Sequence, residues 1–525
     1  MGALGELDQR LFTRVAAAWV PGADPALRRL SHAADHGRLW LGTAAGLTLV
    51  GGHTARRAAV RGLGSLALAS LAVNTLVKWS ARRPRPLLDG VPRVRLLERQ
   101  PHTTSFPSGH SASAAAFATG VALESTRYGA VVAPVAAGVA FSRVYVGVHF
   151  PGDVLAGVAI GAGAAFLTCR WWPPRAGVPE RERPVAPAPA LPLGRGLVVF
   201  VNGHAGAGAP ASAMSPADRL RDLLPEAELV ERGADGDFAA LLTEAADRAA
   251  AAGGALGVCG GDGSVNAAAR AAGERGLALA VFPGGTLNHF ALDVGVPDFE
   301  STAVAVSGGE AVAVDLGAAR PGAGRDLRFL NTFSIGLYPE LVRIREHLEP
   351  RWGKWPAAAM ALARVLRTAR PIELELNGRS RRLWLLFAGN GRYVPEGFAP
   401  SYRPRLDDGL LDLRLVAAER RLARTRVVAS ALVGALRHSR VYDAEHVPWV
   451  ELSGISGTDT LAYDGEVAPG AAALRLEKEP RALVVYRPTR PLDEVRAQAR
   501  RAVATARHRR TMRGRRLPED GGPSA

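Results

Sequence analysis

The sequence predicts a multidomain protein of two unlike parts. An N-terminal all-α transmembrane helical bundle is followed by a two-lobed region, an α/β lobe and then an antiparallel β-rich lobe. Three observations carry this. Five stretches among the first 170 residues hold no Asp, Glu, Lys or Arg. Seven prolines crowd between Pro173 and Pro192. Beyond them the pattern becomes short buried strands, glycine turns and helices.

Taken in order, Met1–Trp19 is amphipathic and carries Arg10 and Arg14 without an apolar core or cleavage site, so it does not read as a signal peptide. The charge-free stretches are Leu39–Ala55, Gly62–Val77, Ser111–Leu123, Tyr128–Ser142 and Val154–Cys169. Each is shorter than the ~20 residues of a comfortable span, but five in succession favour a polytopic bundle over a soluble one. The Pro-rich stretch is a stiff, extended linker. Leu197–Val201, Ala255–Cys259 and Leu277–Phe282 read as strands and Phe238–Ala252 as a helix. Leu383–Ala388, Leu410–Val416 and Ala482–Tyr486 belong to the β-rich lobe. The expected boundaries are 1–34, 35–170, 171–195, 196–311, 312–488 and a basic tail, 489–525.

The chain has 525 residues, 65 Lys+Arg against 49 Asp+Glu and a net charge of +16, which attracts polyanions without saying which. No nucleic-acid motif or series of stacking aromatics accompanies it. Two isolated cysteines, Cys169 and Cys259, exclude a disulfide framework and a zinc site. Only three lysines occur, Lys78, Lys354 and Lys478, so a lysine in this arginine-dominated chain is informative.

Lys78 and Arg85-Pro86, Pro107-Ser108-Gly109-His110, and Ser142-Arg143 with His149 and Asp153 stand at the edges of the apolar stretches. Such a set suits hydrolysis of a phosphate ester through a phosphohistidine. Lys78, Arg85 and Arg143 would neutralise phosphate oxygens, and Ser108 and Gly109 would open a helix towards the anion. His149 would be the nucleophile, Asp153 would bond its other ring nitrogen, and His110 would protonate the leaving alkoxide. These motifs resemble the type-2 phosphatidic acid phosphatase superfamily over about residues 35–170. That resemblance implies a metal-independent lipid phosphatase.

Gly260-Gly261-Asp262-Gly263-Ser264-Val265-Asn266 follows a strand and enters a helix, Pro283-Gly284-Gly285-Thr286-Leu287-Asn288 follows the next strand, and Asp464-Gly465-Glu466 sets two carboxylates in a turn. Together they resemble the diacylglycerol kinase catalytic family over about residues 196–488, which implies a lipid-kinase fold with ATP and Mg²⁺. By that resemblance Asn202, Gly261, Asp262, Gly263, Ser264, Thr286 and Asn288 would hold the nucleotide and Asp464 would be the base, with Glu466 beside it. Arg405, Asp408 and Leu410 match a structural Mg²⁺ loop. His289 stands where the family often has Asp, and Asn202-Gly203-His204-Ala205-Gly206 where it often reads N-P-x-S-G.

The resulting expectation is a bifunctional enzyme of a bacterial cell membrane. One half would hydrolyse a phosphatidic acid-like lipid phosphate without a cofactor, and the other would phosphorylate a diacylglycerol-like lipid alcohol from ATP. Its partners would be membrane phospholipids. The alternative is a polyprenyl diphosphate phosphatase with a catalytically dead, lipid- or nucleotide-binding kinase-like domain. Because His149 and Asp153 begin the last apolar stretch and the linker leaves its far end, the two sites would face opposite sides, the kinase in the cytoplasm. The six arginines between Ser80 and Phe106 run against the positive-inside rule, and phosphate binding accounts for part of them.

Overall fold

The computed structural model describes residues 3–18, 22–50, 53–77, 83–88, 91–97, 104–174, 185–202, 214–233, 236–285, 288–322, 324–368, 370–394, 402–420, 423–432 and 435–489. The chain forms two compact units, Met1–Ala176 and Gly177–Ala525.

The first unit is helical: α1 (Ala3–Ala17), α2 (Ala23–Ala33), α3 (Arg38–Val50), α4 (His53–Ala72), α5 (Gly109–Glu124), α6 (Thr126–Tyr145) and α7 (Pro151–Thr168). Side chains mark the starts. Ser108 caps α5 by accepting from the Ser111 N–H, and Ser125 caps α6 by accepting from Tyr128. Pro151 opens α7, where the Asp153 carboxylate takes the Phe150 N–H. Trp40, Phe117, Val121, Val132 and Val139 form the core of α3 to α6.

Of the five expected spans, α6 and α7 are long and apolar enough to cross a membrane. The others fall short by length or charge: α3 has 13 residues and α5 has 16, while α4 carries Arg56, Arg57 and Arg61. Two of those arginines are neutralised inside the bundle. Arg57 Nε lies 3.1 Å and Arg61 2.7 Å from the Glu124 carboxylate, and Arg61 also donates to Thr168 Oγ1 at 3.0 Å.

The second unit begins with a short strand, β1 (Val185–Pro187), and a parallel sheet, β2 (Leu197–Val201), β3 (Glu228–Glu231), β4 (Ala255–Gly260) and β5 (Leu279–Pro283), in the order β5-β4-β2-β3. Every residue of β2 and β4 is buried, as helix-covered parallel strands require. The helices are α8 (Pro216–Leu223), α9 (Phe238–Ala251), α10 (Asp262–Arg275), α11 (His289–Val294) and α12 (Phe299–Gly308). The second lobe is mainly antiparallel. Long strands Glu310–Pro321 and Leu474–Tyr486 pair with each other, and the latter meets β5 in parallel at Val485 and Leu279, so one continuous sheet runs through both lobes. The strand expected at Leu277–Phe282 starts at Leu279, because Gly276 (φ 64°) ends α10 in a left-handed cap and Leu277 still bonds back to Ala272.

Candidate functional site

His149 lies in the short turn between α6 and α7 and is buried. Its Nδ1 lies 2.6 Å from the Ser105 carbonyl, so this nitrogen donates and Nε2 keeps its lone pair. The expected His149–Asp153 bond is therefore replaced: Nδ1 is 3.8 Å from Asp153 Oδ2. Asp153 acts one residue further out, accepting from Ser105 Oγ, the Phe150 N–H (2.9 Å) and Arg83 Nη1 (2.9 Å). It fixes the segment that fixes the histidine.

Arg85, Arg143 and the start of α5 bond the backbone on either side of this imidazole. Arg85 donates to the carbonyls of Val148 at 2.7 Å and Thr104 at 3.3 Å. Arg143 is buried, bonds Ser31 Oγ, and keeps a buried Nε without a partner. A buried guanidinium N–H with nothing to bond is the donor an incoming phosphate oxygen needs. Ser108 departs from expectation, since its N–H is spent on the Asp153 carbonyl at 3.0 Å. The anion-facing donors of α5 are thus Gly109 and His110, whose first-turn N–H groups have no intrahelical acceptor. His110 Nε2 lies 2.8 Å from Asp35 Oδ1. Lys78 lies outside the described residues. Sequence reasoning missed Arg83, Ser105, Asp8, Ser31 and Asp35; only Arg83, inside the Arg-Pro run, carried a local signal.

In the second unit the glycine turns meet at the carboxyl ends of β2, β4 and β5. A Cβ on Gly285 would stand 2.5 Å from Gly261 Cα, so the second turn needs glycine there to approach the first. Asn202 Nδ2 donates to Ser264 Oγ at 2.9 Å, tying the end of β2 to α10. Asp262 opens α10 and accepts weakly from Phe290 at 3.4 Å; Gly263 follows with open space beside it. Asn288 (φ 50°) closes its own loop, bonding the Gly285 N–H at 2.8 Å and its carbonyl at 2.7 Å. Open sheets bind ligands at such strand ends, and a helix N-terminus there favours an anion. Thr286 lies outside the described residues.

Asp464 (φ 51°) sits in the turn between strands Thr460–Tyr463 and Glu466–Pro469. Its carboxylate accepts from the N–H groups of Leu330 (2.7 Å), Asn331 (2.7 Å) and Thr332 (3.0 Å). Burial pushes its pKa above the usual aspartate range, against the pull of those three donors. Asn266 on α10 donates to the Asp464 carbonyl at 3.3 Å and accepts from Asn331 at 2.7 Å, bringing the turn to the helix that the glycines open. Glu466 does not share this site: half exposed, it pairs with Arg270 at 2.8 Å.

The expected Mg²⁺ loop fits a metal poorly because a cation already stands there. Lys478 Nζ, fully buried, lies 3.1 Å from the Leu410 carbonyl, 3.4 Å from Asp408 and 3.7 Å from Asp315. Asp408 also accepts from the N–H groups of Arg392 and Leu410, while Arg405 turns to Asp407 at 3.2 Å. Sequence reasoning also missed Arg403, which pairs with Asp293 at 3.0 Å and donates to Asn331 Oδ1 and the Leu330 carbonyl at 2.7 Å. It joins α11 to the segment that cradles Asp464.

Residues 58–176 match the PAP2 superfamily, and residues 196–319 match the diacylglycerol kinase catalytic domain. A protein named Probable lipid kinase YegS-like, from Pseudomonas syringae pv. syringae, is 33% identical over 238 residues, 44% of this chain and 74% of its own length. The Lipid A 1-phosphatase of Rhizobium johnstonii is 45% identical over 64 residues, 12% of this chain and 26% of that protein. Among solved structures, a diacylglycerol kinase from Bacillus anthracis str. Sterne is 21% identical at a TM-score of 0.37, covering 56% of this chain and 96% of that one. Aquifex aeolicus LpxE is 26% identical at a TM-score of 0.27, over 31% and 96%. The chain belongs to the diacylglycerol kinase catalytic family through its second unit and carries a PAP2 superfamily domain in its first.

Proposed function

We propose that the chain is a bifunctional membrane enzyme that removes phosphate from a phosphatidic acid-like lipid and, with ATP and Mg²⁺, phosphorylates a diacylglycerol-like lipid alcohol. The observation that carries the first activity is His149 with Nδ1 tied to Ser105, beside the unpartnered Nε of Arg143. Nε2 of His149 attacks phosphorus, Arg85, Arg143 and Lys78 compensate the charge, and His110 gives the leaving oxygen its proton. Water then displaces the phosphohistidine and phosphate leaves.

In the second activity the paired glycine turns would receive the nucleotide phosphates, whose charge Mg²⁺ would help to neutralise, and Asp464 takes the hydroxyl proton. In this reading the need for ATP assigns the second unit to the cytoplasm, and because His149 and Asp153 begin the last apolar stretch and the linker leaves its far end, the phosphatase site is taken to face the opposite side.

The test uses the full chain in phospholipid vesicles, following phosphate release from phosphatidic acid and ATP-dependent phosphorylation of diacylglycerol. His149→Ala abolishes only the first, and Asp464→Asn only the second. Undiminished phosphate release by His149→Ala removes the phosphohistidine. A wild type that takes polyprenyl diphosphate alone, with no kinase turnover, supports the alternative of a phosphatase with an inactive kinase-like domain.

A further inference from the structure

The phosphatase constellation is held by a segment outside the 58–176 family match. Asp8 in α1 accepts from Arg83 Nη2 and from the Gly152 N–H, both at 2.7 Å, and Ser31 in α2 takes the Arg143 guanidinium. Four residues after Ser31, in the turn Asp35–Gly37, the Asp35 carboxylate reaches His110 Nε2 at 2.8 Å. All three polar residues of residues 3–37 named here touch a group that the phosphatase reading uses or a direct neighbour of one.

We infer that Asp35 is a positioning residue for the proton donor His110, forming with it the carboxylate–histidine pair that His149 and Asp153 do not make directly. The inference rests on the phosphatase reading. With Nε2 bonded to Asp35, Nδ1 is the nitrogen that serves the leaving group. As the His149 Nε2–P bond forms and the P–O bond breaks, the electron pair of that bond goes to the leaving oxygen. This oxygen takes the Nδ1 proton of the His110 imidazolium. His110 is left neutral with its remaining proton on Nε2, the tautomer a carboxylate at Nε2 selects. In the second step Nδ1 takes a proton from the water that attacks phosphorus, the P–N bond breaks, and the imidazolium is restored. An amide at position 35 has no charge to hold the imidazolium and can donate to Nε2, selecting the other tautomer.

Leaving-group dependence is the readout that a merely structural role would not move. An alkyl phosphate needs a proton on its departing oxygen, whereas 2,4-dinitrophenyl phosphate does not. For Asp35→Asn in the full chain, kcat/KM, which counts the steps up to the phosphohistidine and not its shared hydrolysis, is expected to fall about 10²-fold on the alkyl phosphate, within the range of positioned acid catalysis. The dinitrophenyl ester changes about threefold or less, since no proton transfer assists its departure. Asp35→Glu recovers part of the alkyl ester rate. Equal losses on both esters, or no loss on either, overturn the assignment while leaving the phosphatase reading intact. A wild type without His149-dependent hydrolysis of either ester overturns the phosphatase reading and Asp35's role with it.

Discussion

Gly157→Ala should disable the phosphatase by moving the loop that carries Ser108. Helix α7 runs so close to the start of α5 that a Cβ on Gly157 would stand 2.4 Å from the Ser108 carbonyl oxygen and 3.2 Å from Ala112 N and Ser111 Cβ. A carbon and a carbonyl oxygen approach to about 3.3 Å at closest comfort, so the two helices must part by about 0.9 Å. Overpacking of this kind costs about 1–3 kcal/mol, which a bundle of this size survives. The site tolerates it less well, because a misplacement near 1 Å costs on the order of 10²-fold in rate. Ser108 also donates to the Asp153 carbonyl, so the shift reaches the His149 side directly. The assay is phosphate release by the purified full chain, with ATP-dependent lipid phosphorylation by the same sample as internal control. The first should fall about 10²-fold and the second should hold. Gly163→Ala, where a Cβ meets nothing within 4 Å, is the matched control and should be silent. Full phosphatase activity in Gly157→Ala would falsify the claim that this helix contact sets the geometry.

Two further predictions concern the second unit. Burial raises the Asp464 pKa, so its proton-accepting form is present above that raised value and is lost as pH falls through it. The kinase rate should decline on an acid limb above the ordinary aspartate value of about 3.9, and a rate flat down to about pH 4 removes Asp464 as the base. Lys478→Met leaves Asp315 and Asp408 without their ammonium and should cost about 3–5 kcal/mol in that unit. In thermal unfolding without ATP, Mg²⁺ should restore part of that loss in the variant and leave the wild type unchanged; a wild type stabilised by Mg²⁺ means the loop does take a metal.

What was legible in the sequence was local. Charge-free runs located α3 to α7, and strand-then-glycine patterns located β2, β4 and β5, because helix and strand periods are set by neighbours a few residues apart. The reacting groups were legible too, since their motifs are short. Their supports were not. Asp35 lies 75 residues from His110, Asp8 lies 144 from Gly152 and Asp293 lies 110 from Arg403, and no local pattern announces such pairs. Nearness in sequence also misled: Glu466 stands two residues from Asp464, yet the left-handed turn at Asp464 leaves its carboxylate on the backbone of residues 330–332 while Glu466 starts a strand and meets Arg270. Lys478 is the intermediate case. Its rarity was visible, and its purpose needed the fold.

The net charge of +16 changes meaning once each cation is matched to its partner. Arg57 and Arg61 are compensated by Glu124, Arg83 by Asp8 and Asp153, and Arg95 by Asp24. In the second unit Arg403 answers Asp293, Arg414 answers Asp412, and Lys478 answers Asp408 and Asp315. These charges are paired, most of them buried and Arg57 and Arg83 partly so, and they hold helices, loops and strands together and offer little to an outside anion. Arg143 differs. It is buried as deeply, but its guanidinium bonds the Ser31 hydroxyl and its Nε has no partner. Burying a guanidinium on a hydroxyl is costly unless an anion completes the site. A phosphate group bound there would supply that missing charge, so the phosphate site is where the first unit departs from its own rule of pairing buried arginines with carboxylates.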